Sequence, residues 1–481
     1  MSKITKNYIY NLMYQFFVLM VPIITAPYLA RTLGPGSQGI SSYVVSISNI
    51  ISTITLLGIF NYGNRQIAYE RGNKDKMSQT FWEVMLLRLL LAIPGSIIYI
   101  GISFLLKDYT SYFLIYYIWM LGTYIDCTWI YVGVEDMRPA VIKNFIAKLI
   151  TVLGIFIIIR NNNDINKYLF LLGTSVFIAN LLGYIQLNKY VKRTTIKLKN
   201  LVIHLKGSVK LFLPTVATLI YMQVDKVMIE FFSGQVDQVA FYDNSEKIVT
   251  IPLTFITVLS TVMMPRIANE FINGNNDKVK TYLIKAGQIS LYLAFPMTLG
   301  IISIASKFVP WYLGVDYKPV IYGIIIIAPI IICNSLEGIS GRQYFTATNQ
   351  IKILGNAYGI TAIMNILINI LLIPKYGFIG AAIATLLSSL TCISIQFSYL
   401  NKQISMKSLV PKAIKYFCFA SIMYISVYLL SRNMNESPVT TIAQIIIGLV
   451  VYFTISAITR DNIFIEICSK GIKMLSKRLN K

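Results

Sequence analysis

The chain has 481 residues, of which 56% are hydrophobic and only 13% are charged. A soluble protein carries about 25% charged residues, so the composition excludes an ordinary soluble enzyme or nucleic-acid-binding protein. Apolar runs of about 20 residues recur along the chain, and each is long enough to cross a hydrocarbon core. We therefore expect an all-α polytopic membrane protein, because backbone groups in lipid must bond within helices.

Fourteen transmembrane helices are predicted from these runs. In chain order they lie near residues 8–30, 40–60, 81–105, 111–134, 142–160, 166–188, 208–232, 246–268, 283–305, 319–340, 353–374, 377–400, 413–431 and 438–459. An even number places both termini on the same side of the membrane.

The distribution of lysine and arginine indicates which side that is. The termini and every second loop hold 32 of these residues, whereas the opposite loops hold 8. Cationic loops stay in the cytoplasm, so both termini are predicted to be cytoplasmic in a bacterial cell membrane. The same rule accounts for the net charge of +23 without any nucleic-acid partner.

A short internal repeat predicts two lobes. NKDK at 73–76 and LAIP at 91–94 recur 202 residues later as NNDK at 275–278 and LAFP at 293–296. Both polar stretches fall on the cytoplasmic side, so the halves run in the same direction, as in parallel transporter repeats. The predicted parts are an N-lobe of six helices (1–190), a basic cytoplasmic connector (191–207), a C-lobe of six helices (208–400), two further helices (411–459) and an amphipathic cytoplasmic tail (460–481).

The segment from 206 to 270 carries charges inside its apolar runs, namely Asp225, Lys226, Glu246, Lys247 and Arg266. Ionisable groups within membrane spans are costly and usually face a bundle interior or a wet cavity. This segment is therefore a candidate lining for a transport pathway.

Histidine and cysteine give no sign of a metal or cofactor site. The five cysteines have no paired spacing and are interpreted as small hydrophobic residues. His204, the single histidine, is predicted to lie in a basic loop, which argues against histidine-based relay chemistry.

Several stretches together carry a family resemblance. They are PIITAPYLARTLG at 22–34, NYGNR at 61–65, FWEVMLLR at 81–88, DCTWIYVGVE at 126–135, DKVMI at 225–229, FYDNSEKI at 241–248 and MPR at 264–266. With them the chain resembles the polysaccharide repeat-unit flippases, of capsule or O-antigen type, in the multidrug/oligosaccharidyl-lipid/polysaccharide exporter superfamily. The resemblance spans the first twelve predicted helices. It implies alternating-access transfer of polyprenyl-pyrophosphate-linked oligosaccharides between leaflets, alongside membrane lipid, a polysaccharide polymerase and glycosyltransferases.

The cations then become candidate pyrophosphate ligands. Guanidinium groups bind phosphate bidentately and stay charged in a low dielectric, and related lipid-pyrophosphate flippases have arginines near the first, second and eighth spans. The candidates are Arg31, Arg65, Arg88, Lys226 and Arg266. The alternatives are internal ion pairs for Arg88 and Lys226, and snorkelling or helix-end stabilisation for the other three.

The acidic residues near the spans are candidates for H⁺ or Na⁺ coupling, with simple charge balance as the alternative: Asp126, Asp225, Glu246 and Glu337. Two other functions stay open, a multidrug/cation antiporter of the same superfamily and a lipid II flippase. A membrane enzyme, such as a polysaccharide polymerase or ligase, is a further alternative; it is disfavoured because it would need a sizeable outer loop, and the largest outer segment, about 233–245, has about a dozen residues.

Overall fold

The computed structural model describes residues 3–466, 468 and 469, without the side chains of 3–16, 19, 213–222, 255 and 257–262. These residues form sixteen α-helices and no β-strand, which confirms the all-α fold class. The helices are α1 Lys3–Leu56, α2 Ile59–Glu70, α3 Lys74–Leu105, α4 Thr110–Tyr124, α5 Thr128–Gly133, α6 Arg138–Ile158, α7 Ile165–Leu182, α8 Leu198–Ser233, α9 Val236–Ile272, α10 Asn276–Tyr312, α11 Val320–Ile327, α12 Ile330–Glu337, α13 Ile351–Tyr376, α14 Phe378–Gln403, α15 Leu409–Ser431 and α16 Pro438–Ile458. A π-helical segment, Gly338–Thr346, follows α12.

Eleven segments of the described chain are long and apolar enough to cross a membrane. One of them, Met20–Leu56, covers most of the first two predicted spans, because α1 is interrupted only at Gly34 (φ 71°, ψ 175°). Helices α8 and α9, with 36 and 37 residues, overlap the seventh and eighth predicted spans but are not among the eleven. The count of fourteen therefore stays a prediction.

The chain divides into two compact units, Met1–Ala240 and Phe241–Lys481, with the boundary inside α9. In the first unit α8 packs against α1, α2 and α3. The predicted lobe boundaries near residues 190 and 208 stay a prediction. Each repeated polar stretch begins a long helix, since α3 follows Asn73 and α10 follows Asn275.

Loops of the first unit meet in the two groups that the charge distribution predicts. At one end, Arg71 forms an ion pair with Glu135 at 2.6 Å, and Tyr190 donates a hydrogen bond to Asp136 at 2.7 Å. At the other end, the Ser37 hydroxyl donates to Asn162 Oδ1 at 2.7 Å. The connections after α2, α5 and α7 therefore lie close together, and the α6–α7 connection lies beside the break in α1.

The second unit is built around α10, which packs against α11, α12, α15 and α16, while α13 and α14 pair with each other. Its core includes Tyr292 and Tyr416, whose rings lie 5.3 Å apart. Lys415 Nζ lies 2.6 Å from Asp461 Oδ2, which ties the beginning of the predicted tail to α15. The rest of that tail lies largely outside the described residues.

Candidate functional site

Arg31 lies just before the break in α1. Its side chain is exposed, whereas Ala30 is 3% and Leu33 0% exposed. The backbone leaves the helical conformation at Gly34 because a positive φ is tolerated there without a Cβ clash. Arg31 thus lies on the exposed face of a helix that is otherwise packed at this level.

Arg65 lies on the short helix α2. This helix follows two residues of positive φ, Leu57 at 44° and Gly58 at 74°, which separate it from α1. Arg65 is exposed, and its Cζ lies 6.0 Å from the centre of the Tyr62 ring, within cation–π range. Tyr62 itself is buried, so the aromatic ring provides a fixed base beside the guanidinium group.

Arg88 lies in the packed interior of the first unit. It is 2% exposed, and it donates from Nη2 to the Thr123 carbonyl at 2.6 Å and from Nε to the Tyr124 carbonyl at 3.0 Å. These carbonyls belong to the last turn of α4, where a helix leaves acceptors unpaired. Its Nη1 is buried without a hydrogen-bond partner among the described residues. A substrate-binding role for Arg88 stays a prediction.

Asp126 lies in the break between α4 and α5. Its Oδ1 accepts from the backbone N–H of Thr128 at 3.0 Å and from Lys143 Nζ at 2.8 Å. The ammonium group also donates to Asn180 Oδ1 at 2.6 Å. Asp126 therefore accepts a hydrogen bond from the first residue of α5 and forms an ion pair with a buried cation, in line with the charge-balance alternative. A role in ion coupling stays a prediction.

The charged residues of α8 and α9 differ in their exposure. Asp225 is 1% exposed, and Lys226 next to it is half-buried. In the second unit Glu246 is half-buried and Arg266 is exposed. All four lie within helices, so their charges must be balanced by polar groups or by water.

Glu337 ends α12 and precedes the π-helical segment. Its Oε1 accepts a hydrogen bond from the Tyr358 hydroxyl of α13. π-Helical turns are rare and are often found at functional sites. The structure thus places Glu337 at an irregular point of a membrane helix, while its part in ion coupling stays a prediction.

Sequence reasoning missed two buried polar residues. Lys143 falls at the beginning of the predicted span 142–160 and was not among the candidate residues, yet it is 2% exposed inside α6. His204 was predicted to lie in a loop, but it lies in α8, buried between Glu83 and Tyr62. The signal available was the spacing of Leu201 and Leu205, four residues apart, which places His204 on the same helix face as these two leucines.

Among the described residues, no group of three or more His, Cys, Asp or Glu side chains is arranged so that it could hold a metal ion. The fold and charges define a polytopic α-helical membrane protein with arginines exposed on its helices. Two family models match more than half of the chain: Polysaccharide biosynthesis protein over residues 4–271, and Lipid II flippase MurJ over residues 145–448. The chain belongs to the polysaccharide biosynthesis protein family, within the multidrug/oligosaccharidyl-lipid/polysaccharide exporter superfamily. The family resemblance of the sequence is thereby confirmed.

Among individual proteins, the chain is 25% identical over 383 residues to a Shigella dysenteriae protein named as an O-antigen transporter, covering 78% of this chain and 94% of that one. The solved structure of the lipid II flippase MurJ in an inward closed conformation aligns with a TM-score of 0.71 and 20% identity, covering 95% of this chain and 100% of that one. An inward-facing multidrug resistance MATE family transporter aligns with a TM-score of 0.66 and 15% identity, and the alignment covers 82% of this chain and 96% of that one. At these identities the two structures support the fold alone.

Proposed function

We propose that this protein is a flippase that moves polyprenyl-pyrophosphate-linked oligosaccharide repeat units from the inner to the outer leaflet of a bacterial cell membrane. The transported unit is used to assemble a surface polysaccharide, and we propose that this polysaccharide is a capsule. The supporting observation is that Arg65 on α2 and Arg266 on α9 are exposed and have no ion-pair partner among the described residues.

The chemistry of the substrate explains why such arginines are needed. A pyrophosphate that crosses the bilayer must lose water, and hydrogen bonds from a guanidinium group can replace that water. A guanidinium group also keeps its charge in a low dielectric, whereas an ammonium group loses its proton more readily. Arginine without an internal carboxylate partner is therefore suited to hold a pyrophosphate.

The cations proposed to bind the pyrophosphate are Arg31, Arg65 and Lys226 of the first unit and Arg266 of the second. Arg88 holds the end of α4 through its two carbonyl contacts. The transport cycle is alternating access, in which these cations face first the inner and then the outer leaflet. Asp225, Glu246 and Glu337 are the proposed sites for a coupling ion, and Asp126 balances charge.

The proposed substrate requires partner enzymes on both sides of the membrane. Glycosyltransferases on the cytoplasmic side complete the repeat unit, and a polymerase on the outer side consumes it. The protein itself makes and breaks no covalent bond in this proposal. Both termini are proposed to be cytoplasmic, and the oligosaccharide head group passes between the two sides while its polyprenyl chain stays in lipid.

The experiment is depletion of the protein in its native cells, followed by extraction of polyprenol-linked saccharides and assay of surface glycan. The expected result is accumulation of a complete repeat unit on the inner leaflet together with loss of surface polymer. Complementation with Arg65→Gln or Arg266→Gln should fail, whereas Arg432→Gln, an exposed arginine at the end of α15, should restore the polymer.

The same cells separate this proposal from the multidrug antiporter. Unchanged lipid-linked saccharides combined with new sensitivity to cationic dyes would refute the flippase and support drug extrusion. Accumulation of lipid II instead of a repeat unit would identify the lipid II flippase alternative.

A further inference from the structure

The single histidine of the chain lies at the centre of a buried polar network. His204 is 7% exposed and Glu83 is 1% exposed. His204 Nε2 lies 3.0 Å from Glu83 Oε2, and His204 Nδ1 lies 2.9 Å from the Tyr62 hydroxyl oxygen. The three residues come from α8, α3 and α2, so the network joins three helices of the first unit.

The partners of Glu83 determine which nitrogen of His204 carries the proton. The carboxylate accepts hydrogen bonds from three other donors: Gln79 Nε2 at 2.8 Å, the Lys197 backbone N–H at 3.0 Å and Asn200 Nδ2 at 3.0 Å. An ionised carboxylate only accepts, so His204 Nε2 must donate to it. In a neutral ring Nδ1 is then the acceptor, and the Tyr62 hydroxyl donates to it.

The same face of α8 holds the beginning of α2. Gly207 lies so close to Tyr62 that an added Cβ would lie 2.2 Å from Tyr62 Cε2. Ser208 donates a hydrogen bond to the Leu57 carbonyl. Residues three and four positions apart share a helix face, so His204, Gly207 and Ser208 act on α2 together. This contact lies beside the break that precedes α2, and α2 is therefore positioned by α8.

Tyr62 connects this contact to Arg65. The two residues are three positions apart on α2, and the guanidinium carbon lies 6.0 Å from the ring centre. We propose that His204 is a positioning residue for Arg65: by fixing the Tyr62 ring, it holds the guanidinium group in the orientation that receives the pyrophosphate. This inference rests on the proposed function of Arg65. If His204 positions Arg65 in this way, a displacement of α8 from α2 lowers the affinity of the protein for the anionic head group.

The first test needs no substrate. Because the chain has one histidine, ¹⁵N-histidine labelling of the protein in nanodiscs gives one imidazole spectrum. The expected spectrum is that of a ring that carries a proton on Nε2 and accepts a hydrogen bond at Nδ1. Tyr62→Phe should shift the Nδ1 resonance and leave the Nε2 proton in place. A ring protonated at Nδ1 alone, or an Nδ1 signal that Tyr62→Phe does not change, would overturn the proposed contact between His204 and Tyr62.

The second test measures transport of a fluorescent polyprenyl-pyrophosphate oligosaccharide in proteoliposomes. His204→Ala should raise the apparent KM about 2- to 10-fold, the range of one cation–π contact, with a smaller effect on kcat. Because Arg65→Gln itself abolishes transport, the comparison in that background uses equilibrium binding of the same fluorescent substrate, and His204→Ala should raise the Kd there no further. An equal rise in Kd in the wild-type and Arg65→Gln backgrounds would show that His204 affects binding independently of Arg65 and would refute the positioning role. The His204→Gln side chain can both donate and accept hydrogen bonds, so this variant should recover part of the substrate affinity that His204→Ala loses. Such recovery would show that the loss in His204→Ala does not come from unfolding.

The two tests keep this inference separate from the proposed function. If the wild-type protein moves no lipid-linked oligosaccharide, the flippase proposal fails and the role of His204 in substrate binding fails with it. The histidine spectrum still reports on the contact between His204 and Tyr62. If transport occurs but the double variant shows additive effects, only the positioning role is refuted.

Discussion

Lys143 and Asp126 form a buried ion pair in the first unit, with Nζ 2.8 Å from Oδ1 and the lysine side chain 2% exposed. The pair joins α6 to the break between α4 and α5. Asn180 completes the shell of the ammonium group through a hydrogen bond of 2.6 Å. Asp126, which the sequence suggests as a candidate for ion coupling, is thus neutralised by Lys143 inside the protein.

Removing one partner of this pair should be strongly destabilising. Asp126→Asn leaves the Lys143 ammonium buried without its counter-charge, and we expect a loss of about 3–5 kcal/mol in the free energy of unfolding. Denaturant titration in detergent micelles measures it. The double variant Asp126→Asn/Lys143→Met should recover most of the loss. The control is Lys167→Met, whose side chain is 60% exposed beside Asp164 and should cost less than about 1 kcal/mol. Equal losses in Asp126→Asn and Lys167→Met would contradict the prediction.

Arg88 and Arg65 should respond differently to substitution. Arg88→Met removes two hydrogen bonds to the end of α4, so we expect a loss of about 2–3 kcal/mol in stability, as for bonds to a charged donor. Arg65→Gln should leave stability within about 0.5 kcal/mol and abolish transport. Thermal unfolding and proteoliposome flux measured on both variants check this contrast. A stable Arg88→Met protein with weakened substrate binding would instead place Arg88 in the binding site.

The contact between α2 and α5 should not tolerate a larger side chain at Gly63. A Cβ at this position would lie 2.6 Å from the buried Trp129 ring. Gly63→Ala is therefore expected to destabilise the first unit by about 1–3 kcal/mol through overpacking. Gly101→Ala on α3 is the matched control, because nothing lies within 4 Å of its added Cβ. Denaturant titration should give a lower free energy of unfolding for Gly63→Ala than for Gly101→Ala. An unchanged free energy of unfolding for Gly63→Ala would disprove the close packing.

The orientation in the membrane can be measured with single cysteines. Lys199→Cys and Asn163→Cys both lie at exposed positions, at the beginning of α8 and just before α7 respectively. In a background without the exposed Cys418 and Cys468, a membrane-impermeant maleimide should label position 163 in intact cells. Position 199 should react only after lysis, because lysine-rich and arginine-rich loops stay in the cytoplasm. The reverse pattern would invert the proposed topology.

Much of the fold could be predicted because its signals are local. Long apolar runs must become helices in lipid, since each backbone group needs a partner within the segment. The alternation of cationic loops likewise indicated which loops share an end, and the contacts Arg71–Glu135 and Ser37–Asn162 follow that alternation. Where a helix is interrupted was less clear, because Asp126 and Gly58 break α-helical stretches within otherwise continuous apolar sequence.

The candidate site was harder to predict, because a charge does not reveal its partner. Arg65 and Arg88 are both arginines beside apolar runs, yet one is exposed next to an aromatic ring and the other is buried against backbone carbonyls. His204 lies more than a hundred residues from both Tyr62 and Glu83 in the chain. Only tertiary contacts decide between such environments.

The sequence by itself determined that this chain spans a membrane many times as helices, and it placed its cations and carboxylates along those helices. These properties depend on the composition of each segment and on the cost of unpaired backbone in lipid. The tertiary structure decided which charges are neutralised inside the protein, as with Lys143, and which stay exposed, as with Arg65. The physical reason is that burial and pairing depend on residues distant in sequence, which are brought together only when the helices pack.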